Sequence, residues 1–211
     1  MENFLKIAEP VALARPRGAR RLEAFSPKLS RRMIFFRRVQ LDQWILLEAD
    51  PRVITFCERP GYVVVEDERR LADFWVRFSG RQELVILTDV EIENLPVVTH
   101  RDLDAATLPV RTVASAEIAA AQVWIENWQR MLPYIVANRD LMSAALSRAI
   151  ERFLAQPHRL LDVEREFATG DPVLVRATLF RLLHAGKISA PDLRTQPLSL
   201  LTTFLIEGAH P

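Results

Sequence analysis

The stretch LADFWVRFSGRQELVILTD, Leu71 to Asp89, decides how this 211-residue chain is read. Two β-rich runs, RLADFWVRF and ELVILT, flank a Ser79-Gly80 turn signal, so the segment reads as a hairpin. Asp73 stands where the first strand begins. At the matching depth the second strand offers Val85, Ile86, Leu87 and Thr88. A lone carboxylate at a strand entry, opposite an apolar neighbour, is the feature that needs a cause.

Working outward, RVITFC and GYVVV precede the hairpin as two more strands, separated by RPG and followed by EDE. RVQLDQWILLEAD reads as a helix, with Leu41, Trp44 and Ile45 at i, i+3, i+4, and Asp50-Pro51 ends it. Residues 1 to about 29 read as irregular, with RRMIFF a short strand after them. LPVVT and LPVRTV are further strand candidates. Beyond Val113 the pattern turns helical. SAEIAAAQVWIENWQRML has Ser115 as its N-cap candidate and Pro133 as its end or kink. RDLMSAALSRAIERFLA, LLDVEREFA and DPVLVRATLFRLLHAG follow as helices. The last has Asp171 as N-cap, Pro172 at its first position and Gly186 past its end. KIS and LSLLTTFLIE add short strands.

The expected organisation is a basic N-terminal arm (1–29), an α/β domain (30–113), a bridging helix (114–138) and a helix-helix-helix-strand region (139–211) with the order of a winged helix. In that last region Arg176, Arg181 and His184 are the outward donors expected of the helix from Pro172, a thin basis for reading a groove. Trp124 and Trp128, four apart, read as core packing rather than an exposed partner face.

Half the chain is hydrophobic and a quarter charged, which predicts a packed core. No apolar run approaches the length of a membrane span, and the first residues show no apolar signal region, so no membrane partner and a cytoplasmic location are expected. One cysteine, Cys57, excludes an internal disulfide, and the four histidines lack metal-ligand spacing. The net charge of +1 conceals an asymmetry: Ala14 to Arg38 carries +8, and everything after it about −6. Arg15, Arg17, Arg20, Arg21, Lys28, Arg31, Arg32, Arg37 and Arg38 form a set suited to phosphate, with some of them expected to face the chain's own acidic body.

The succession SPK (Ser26–Lys28), LLEADPRV (Leu46–Val53), ITFCERP (Ile54–Pro60) and LADF (Leu71–Phe74) resembles the N-terminal domain of TnsA-like proteins, the endonuclease subunits of heteromeric transposases. The likeness covers about residues 26 to 90. It implies a restriction-endonuclease-like mixed sheet with flanking helices, a winged-helix-like C-terminal region, and Mg²⁺-dependent cleavage of DNA. It also implies transposon-end DNA, a DDE-type transposase and an ATPase regulator as partners. Metal-dependent nucleases of this kind carry an acid on the first hairpin strand and an acid plus a lysine on the second.

Transferred onto this chain, the family's helix glutamate falls on Gln40 and its strand-entry aspartate on Asp73. Its second acid falls on Ile86 and its lysine on Thr88. Asp73 alone keeps its chemistry, and one carboxylate with one amide is a poor cage for a hard divalent ion. Lys28 or Arg37 would have to serve as a migrated cation. The expectation is therefore a catalytically impaired accessory subunit that binds DNA and partner proteins, with no cofactor. The alternatives are an active endonuclease with migrated residues, using Mg²⁺ at Asp73, and a pure protein-interaction module.

Overall fold

A computed structural model describes residues 9–65, 68–89 and 108–206. The chain falls into two compact units, one of Met1–Leu47 with Arg52–Ala120, the other of Glu48–Pro51 with Ala121–Pro211. Among the described residues no helix is long and apolar enough to cross a membrane.

The first unit opens with a hairpin, β1 (Leu22–Ser26) paired antiparallel to β2 (Arg31–Phe35). This corrects the expectation of an irregular segment up to about residue 29. The turn is closed locally, because Ser26 Oγ accepts from the Leu29 amide at 3.1 Å and Ser30 takes a left-handed φ of 51°. Helix α1 (Arg38–Ala49) follows and stops before Pro51, as expected.

Four strands then form one mixed sheet: β3 (Val53–Glu58), β6 (Phe74–Phe78), β7 (Arg81–Thr88) and β8 (Val110–Ala114), in that spatial order. The pairs β3–β6 and β6–β7 are antiparallel, and β7–β8 is parallel. Between β3 and β6 the chain makes a separate two-stranded hairpin, β4 (Tyr62–Val65) with β5 (Glu68–Leu71). The run RLADFWVRF is thus two strands in two sheets rather than one, broken at Ala72-Asp73. Its apolar pattern continues across the break, which hides it. The Ser79-Gly80 turn is as read, with Gly80 at φ 80°. LPVVT lies outside the described residues, and LPVRTV supplies β8.

Successive side chains of β6 face opposite ways. Phe74 meets Phe35, which meets Trp44 of α1. Trp75 joins Cys57, Val63, Ala72, Leu84, Ile86 and Leu108 in a second apolar cluster. Helix α2 (Ser115–Ala120) ends the unit. Ser115 does not cap it with its own hydroxyl. Glu117 instead accepts from the Ala114 amide at 3.1 Å, the return half of a capping box, and Ser115 Oγ donates to Asp89 Oδ1 at 2.7 Å.

The second unit begins with α3 (Gln122–Ala137), separate from α2 at Ala121. Pro133 neither ends nor divides α3. The proline forfeits one backbone bond, but Met131, Leu132 and Ile135 are buried around it and hold the helix together. Next come α4 (Ala144–Phe153), β9 (His158–Arg159), α5 (Leu160–Phe167), α6 (Val173–His184) and β10 (Ile188–Ser189). A 3₁₀ turn (Pro191–Arg194) and β11 (Thr203–Ile206) complete it. The helix expected from residue 139 starts later, where the Ser143 hydroxyl caps α4 by accepting from the Ala145 amide. β11 lies between β10 and β9, antiparallel to both.

Candidate functional site

Asp73 is the residue from which the site is built. It stands in the break between β5 and β6, outside the regular alternation, so its carboxylate can turn toward α1. It is 7% exposed. Its backbone is pinned on both sides: its amide donates to Val85 O at 2.9 Å, and its carbonyl accepts from the Arg59 amide at 2.8 Å. β6 begins one residue later, so the Leu87 amide of β7 runs past the end of its neighbour. Asp73 Oδ2 takes the place of the missing strand and accepts that amide at 2.8 Å. Oδ1 accepts from Gln40 Nε2 at 2.8 Å and from Arg37 Nη2 at 2.7 Å.

Gln40 and Asp73, paired by the sequence reading, do converge. Gln40 presents its amide nitrogen rather than its carbonyl oxygen, so it donates to the acid and offers no lone pair there. Arg37, one of the two cations considered as migrants, reaches the same oxygen. Lys28, the other, does not, because its Nζ donates to Leu47 O at 2.9 Å in the last turn of α1. Ile86 packs in the cluster with Trp75 and Leu84, and Thr88 closes β7 opposite Ala114.

A divalent ion needs several free oxygen ligands. Here the carboxylate already accepts three bonds, a guanidinium sits against it, and the neighbouring amide is turned the wrong way. Among the described residues no group of three or more His, Cys, Asp or Glu side chains could hold a metal. These residues do not fit Mg²⁺.

A second buried carboxylate, Glu58, escaped the sequence reading. It is 2% exposed at the end of β3, and Arg31 grips it with both terminal nitrogens, Nη1 to Oε1 at 2.8 Å. That hydrogen bond raises the Arg31 pKa. The next residue, Arg59, holds a left-handed φ of 49°. Its side chain donates to Val11 O at 3.1 Å and to Ile34 O at 2.9 Å. The signal was present in the sequence as one acid closing an otherwise apolar strand. Burial, with Glu58 beside it, pushes the Cys57 thiol up to about 11, so it is an inert core residue.

The basic segment is largely consumed within the fold. Arg21 pairs with Glu23 at 2.7 Å, Arg38 with Asp42 at 2.8 Å, and Arg15 Nε donates to Ala19 O. Arg17, Arg20 and Arg32 are exposed and make no ion pair among the described residues.

In the second unit, α6 is buried along most of its length, at Val175, Ala177, Thr178, Leu179, Phe180, Leu182 and Leu183. Of its three expected outward donors only Arg181 is exposed. Arg176 forks onto Glu164 and reaches the Tyr134 hydroxyl at 3.3 Å, and the Glu164 bond raises its pKa. His184 Nε2 lies 3.2 Å from Glu48 Oε1. Trp128 is fully buried edge-on to Trp124, over which Arg194 lies 4.9 Å from the ring centroid. Trp128 is core, as expected, and Trp124 is half-buried beside it. Asn127 carries no signal in the sequence that sets it apart from a surface amide. It is buried and clamps the β10–β11 connection, donating to Leu193 O and Gln196 O and accepting from the Leu198 amide.

No protein-family profile matches the chain, and no curated protein does.

Proposed function

We propose that this chain is a TnsA-like accessory subunit of a DNA transposition system whose nuclease centre is chemically silent. The observation that carries the reading is the Asp73 carboxylate, whose oxygens are taken by Arg37, Gln40 and the Leu87 amide. An arginine stands where the ancestral cation would be needed, so the scaffold keeps its electrostatic balance without a metal. The order of elements supports the scaffold: a helix, three antiparallel strands, and a fourth strand parallel to the third is the arrangement expected of a restriction-endonuclease-like domain. In the second unit, the order helix–strand–helix–helix–strand–strand, with the last strand central, supports a winged-helix-like region.

DNA is held by its phosphates, through exposed arginines of the first unit. The second unit suits partner proteins better than a DNA groove, because α6 is covered and two of its three polar donors are already bonded. Transposase and ATPase regulator are the partner classes that the family resemblance suggests.

The test is a cleavage assay on supercoiled DNA in Mg²⁺ or Mn²⁺, with the transposase encoded beside this gene added where one exists, together with duplex binding by anisotropy. Binding without nicking is the expected result. Nicking by the unmodified protein that disappears in Asp73→Asn would overturn the silent-centre reading, and absence of duplex binding would overturn the DNA-binding part.

A further inference from the structure

Among the described residues several arginines meet buried carboxylates, and their contacts differ. Arg31 on Glu58 and Arg176 on Glu164 are forked, with two guanidinium nitrogens committed to the two acid oxygens. Arg37 and Arg38 differ. Arg37 gives Asp73 one nitrogen, Nη2, and its side chain is 52% exposed. Arg38 gives Asp42 only Nε, at 2.8 and 3.0 Å to the two oxygens, and its side chain is 58% exposed. Both acids are 7% exposed, so each lies beneath its arginine. A guanidinium carries five N–H donors in a rigid plane. Charge neutralisation alone favours the forked contact, since two parallel bonds are stronger than one. Two consecutive arginines tethered at one edge, with the other edge turned to solvent, are arranged to present donors.

We propose that Arg37 and Arg38 form a pre-organised grip for a phosphodiester of the DNA backbone, with Asp73 and Asp42 as the positioning residues beneath. On the proposed function, a site laid out for a metal that cuts a phosphate becomes one that holds a phosphate without cutting it. Tethering removes rotamer freedom before binding, so less is lost on contact. Arg32 is an exposed cation of the same basic segment. Each arginine is matched by its own acid, so the grip works by directed hydrogen bonds and adds little net charge.

The inference rests on the DNA-binding part of the proposed function, and one experiment separates the two. Binding of a short labelled duplex is measured at fixed salt for the unmodified protein, Arg37→Ala, Arg37→Lys and the double variant Arg17→Ala/Arg20→Ala. Circular dichroism checks that each is folded. Arg37→Ala is expected to weaken binding about ten-fold or more, the scale of losing charge-assisted bonds. Arg37→Lys keeps the charge and the link to Asp73 but loses the planar fork, and recovers only part of that loss. The Arg17/Arg20 variant lowers the salt slope instead.

Arg37→Lys binding equal to the parent overturns the grip, and so does folded Arg37→Ala within two-fold of the parent; both leave DNA binding standing. A parent that does not bind duplex overturns the broader reading. Inorganic phosphate, added at constant ionic strength, distinguishes a free ion from a backbone phosphate. Little displacement of duplex supports the backbone, whereas full displacement at millimolar phosphate overturns it.

Discussion

Asp73→Ala separates a structural carboxylate from a catalytic one. In a metal-binding site an acid is held at a cost, and removing it leaves stability unchanged or raises it. Here the acid completes the sheet. Its loss orphans the Leu87 amide, which is buried and, on the β6 side of β7, lies beyond the end of that neighbour. A buried donor left unpaired costs about 1–3 kcal/mol. Gln40 is half-buried and Arg37 half-exposed, so both can turn to water, and together they add about 0–1 kcal/mol. The expected loss is about 1–4 kcal/mol. For a unit of roughly 100 residues, where each kcal/mol moves the midpoint about 4–8 °C, that is a fall of about 4 °C at the least and about 30 °C at the most. Exposure of Cys57 to a thiol reagent during a thermal ramp reports on this unit, because the thiol is buried within it. The same ramp with about 10 mM Mg²⁺ is the control. A site with a Kd of about 1 mM would stabilise the parent by about 1.4 kcal/mol, and no shift is expected. An unchanged or higher midpoint in Asp73→Ala, with Mg²⁺ stabilising the parent and not the variant, would refute the structural reading.

Three further outcomes follow from the same geometry. Within the Ala14–Arg38 segment, Arg17, Arg20 and Arg32 have exposed side chains that make neither an ion pair nor a hydrogen bond among the described residues; counterion release by three such contacts gives a log–log slope of about −2.7, or roughly a 40-fold loss of duplex affinity between 50 and 200 mM salt, whereas nine free contacts would lose roughly 10⁵-fold, so a titration decides between them. Cys57, with its pKa pushed up to about 11 and its side chain buried, stays unmodified by a thiol reagent at about pH 8 and reacts fully once the protein is denatured; prompt reaction of folded protein would contradict its placement. Asn127→Ala leaves Leu193 O, Gln196 O and the Leu198 amide without their partner, and costs about 2–4 kcal/mol; hydrogen exchange at Leu198 accelerates more than exchange within α4, and equal protection would count against the clamp.

Local signals were legible where local chemistry makes the structure. Gly80 and Gly186 adopt the positive φ their turns require, and Asp171 Oδ1 accepts the Val173 amide, although Pro172 rather than Asp171 is the N-cap of α6. Asp50-Pro51 ends α1 for the steric reason given. The Gln40–Asp73 meeting was legible only through the family resemblance, since no periodicity links a helix residue to a strand entry 33 positions away. Three features stayed hidden because they depend on partners distant in sequence. The break at Ala72-Asp73 is flanked by apolar residues on both sides, so that Asp73 alone marks it. Glu58 looks like any strand-end acid until Arg31 is placed on it. Pro133 signals a helix end, but buried neighbours on either side outweigh one lost backbone bond.

The charge asymmetry shows how far a local count can mislead. Nine cations against one acid between Ala14 and Arg38 read as a surface for a polyanion. In the fold, Arg31, Arg37 and Arg38 neutralise acids buried in the sheet and helix, Arg21 pairs with its neighbour Glu23, and Lys28 holds the end of α1. Part of the positive excess therefore balances buried negative charge from within the same unit, and the number of basic residues is only an upper bound on the number available to phosphate. What distinguishes the remainder is geometry rather than charge. Arg31 and Arg37 both touch a buried carboxylate, yet Arg31 turns two donor nitrogens inward and Arg37 one. Half-exposed single-nitrogen pairs also occur at Arg21–Glu23 and Arg111–Glu117, but there the acid is itself exposed; Arg37 and Arg38 differ in that the acid beneath each is buried. If Arg37 were purely structural, its replacement would change the stability of the first unit and leave duplex affinity alone; the tethered, half-exposed guanidinium implies that both change, and affinity by more.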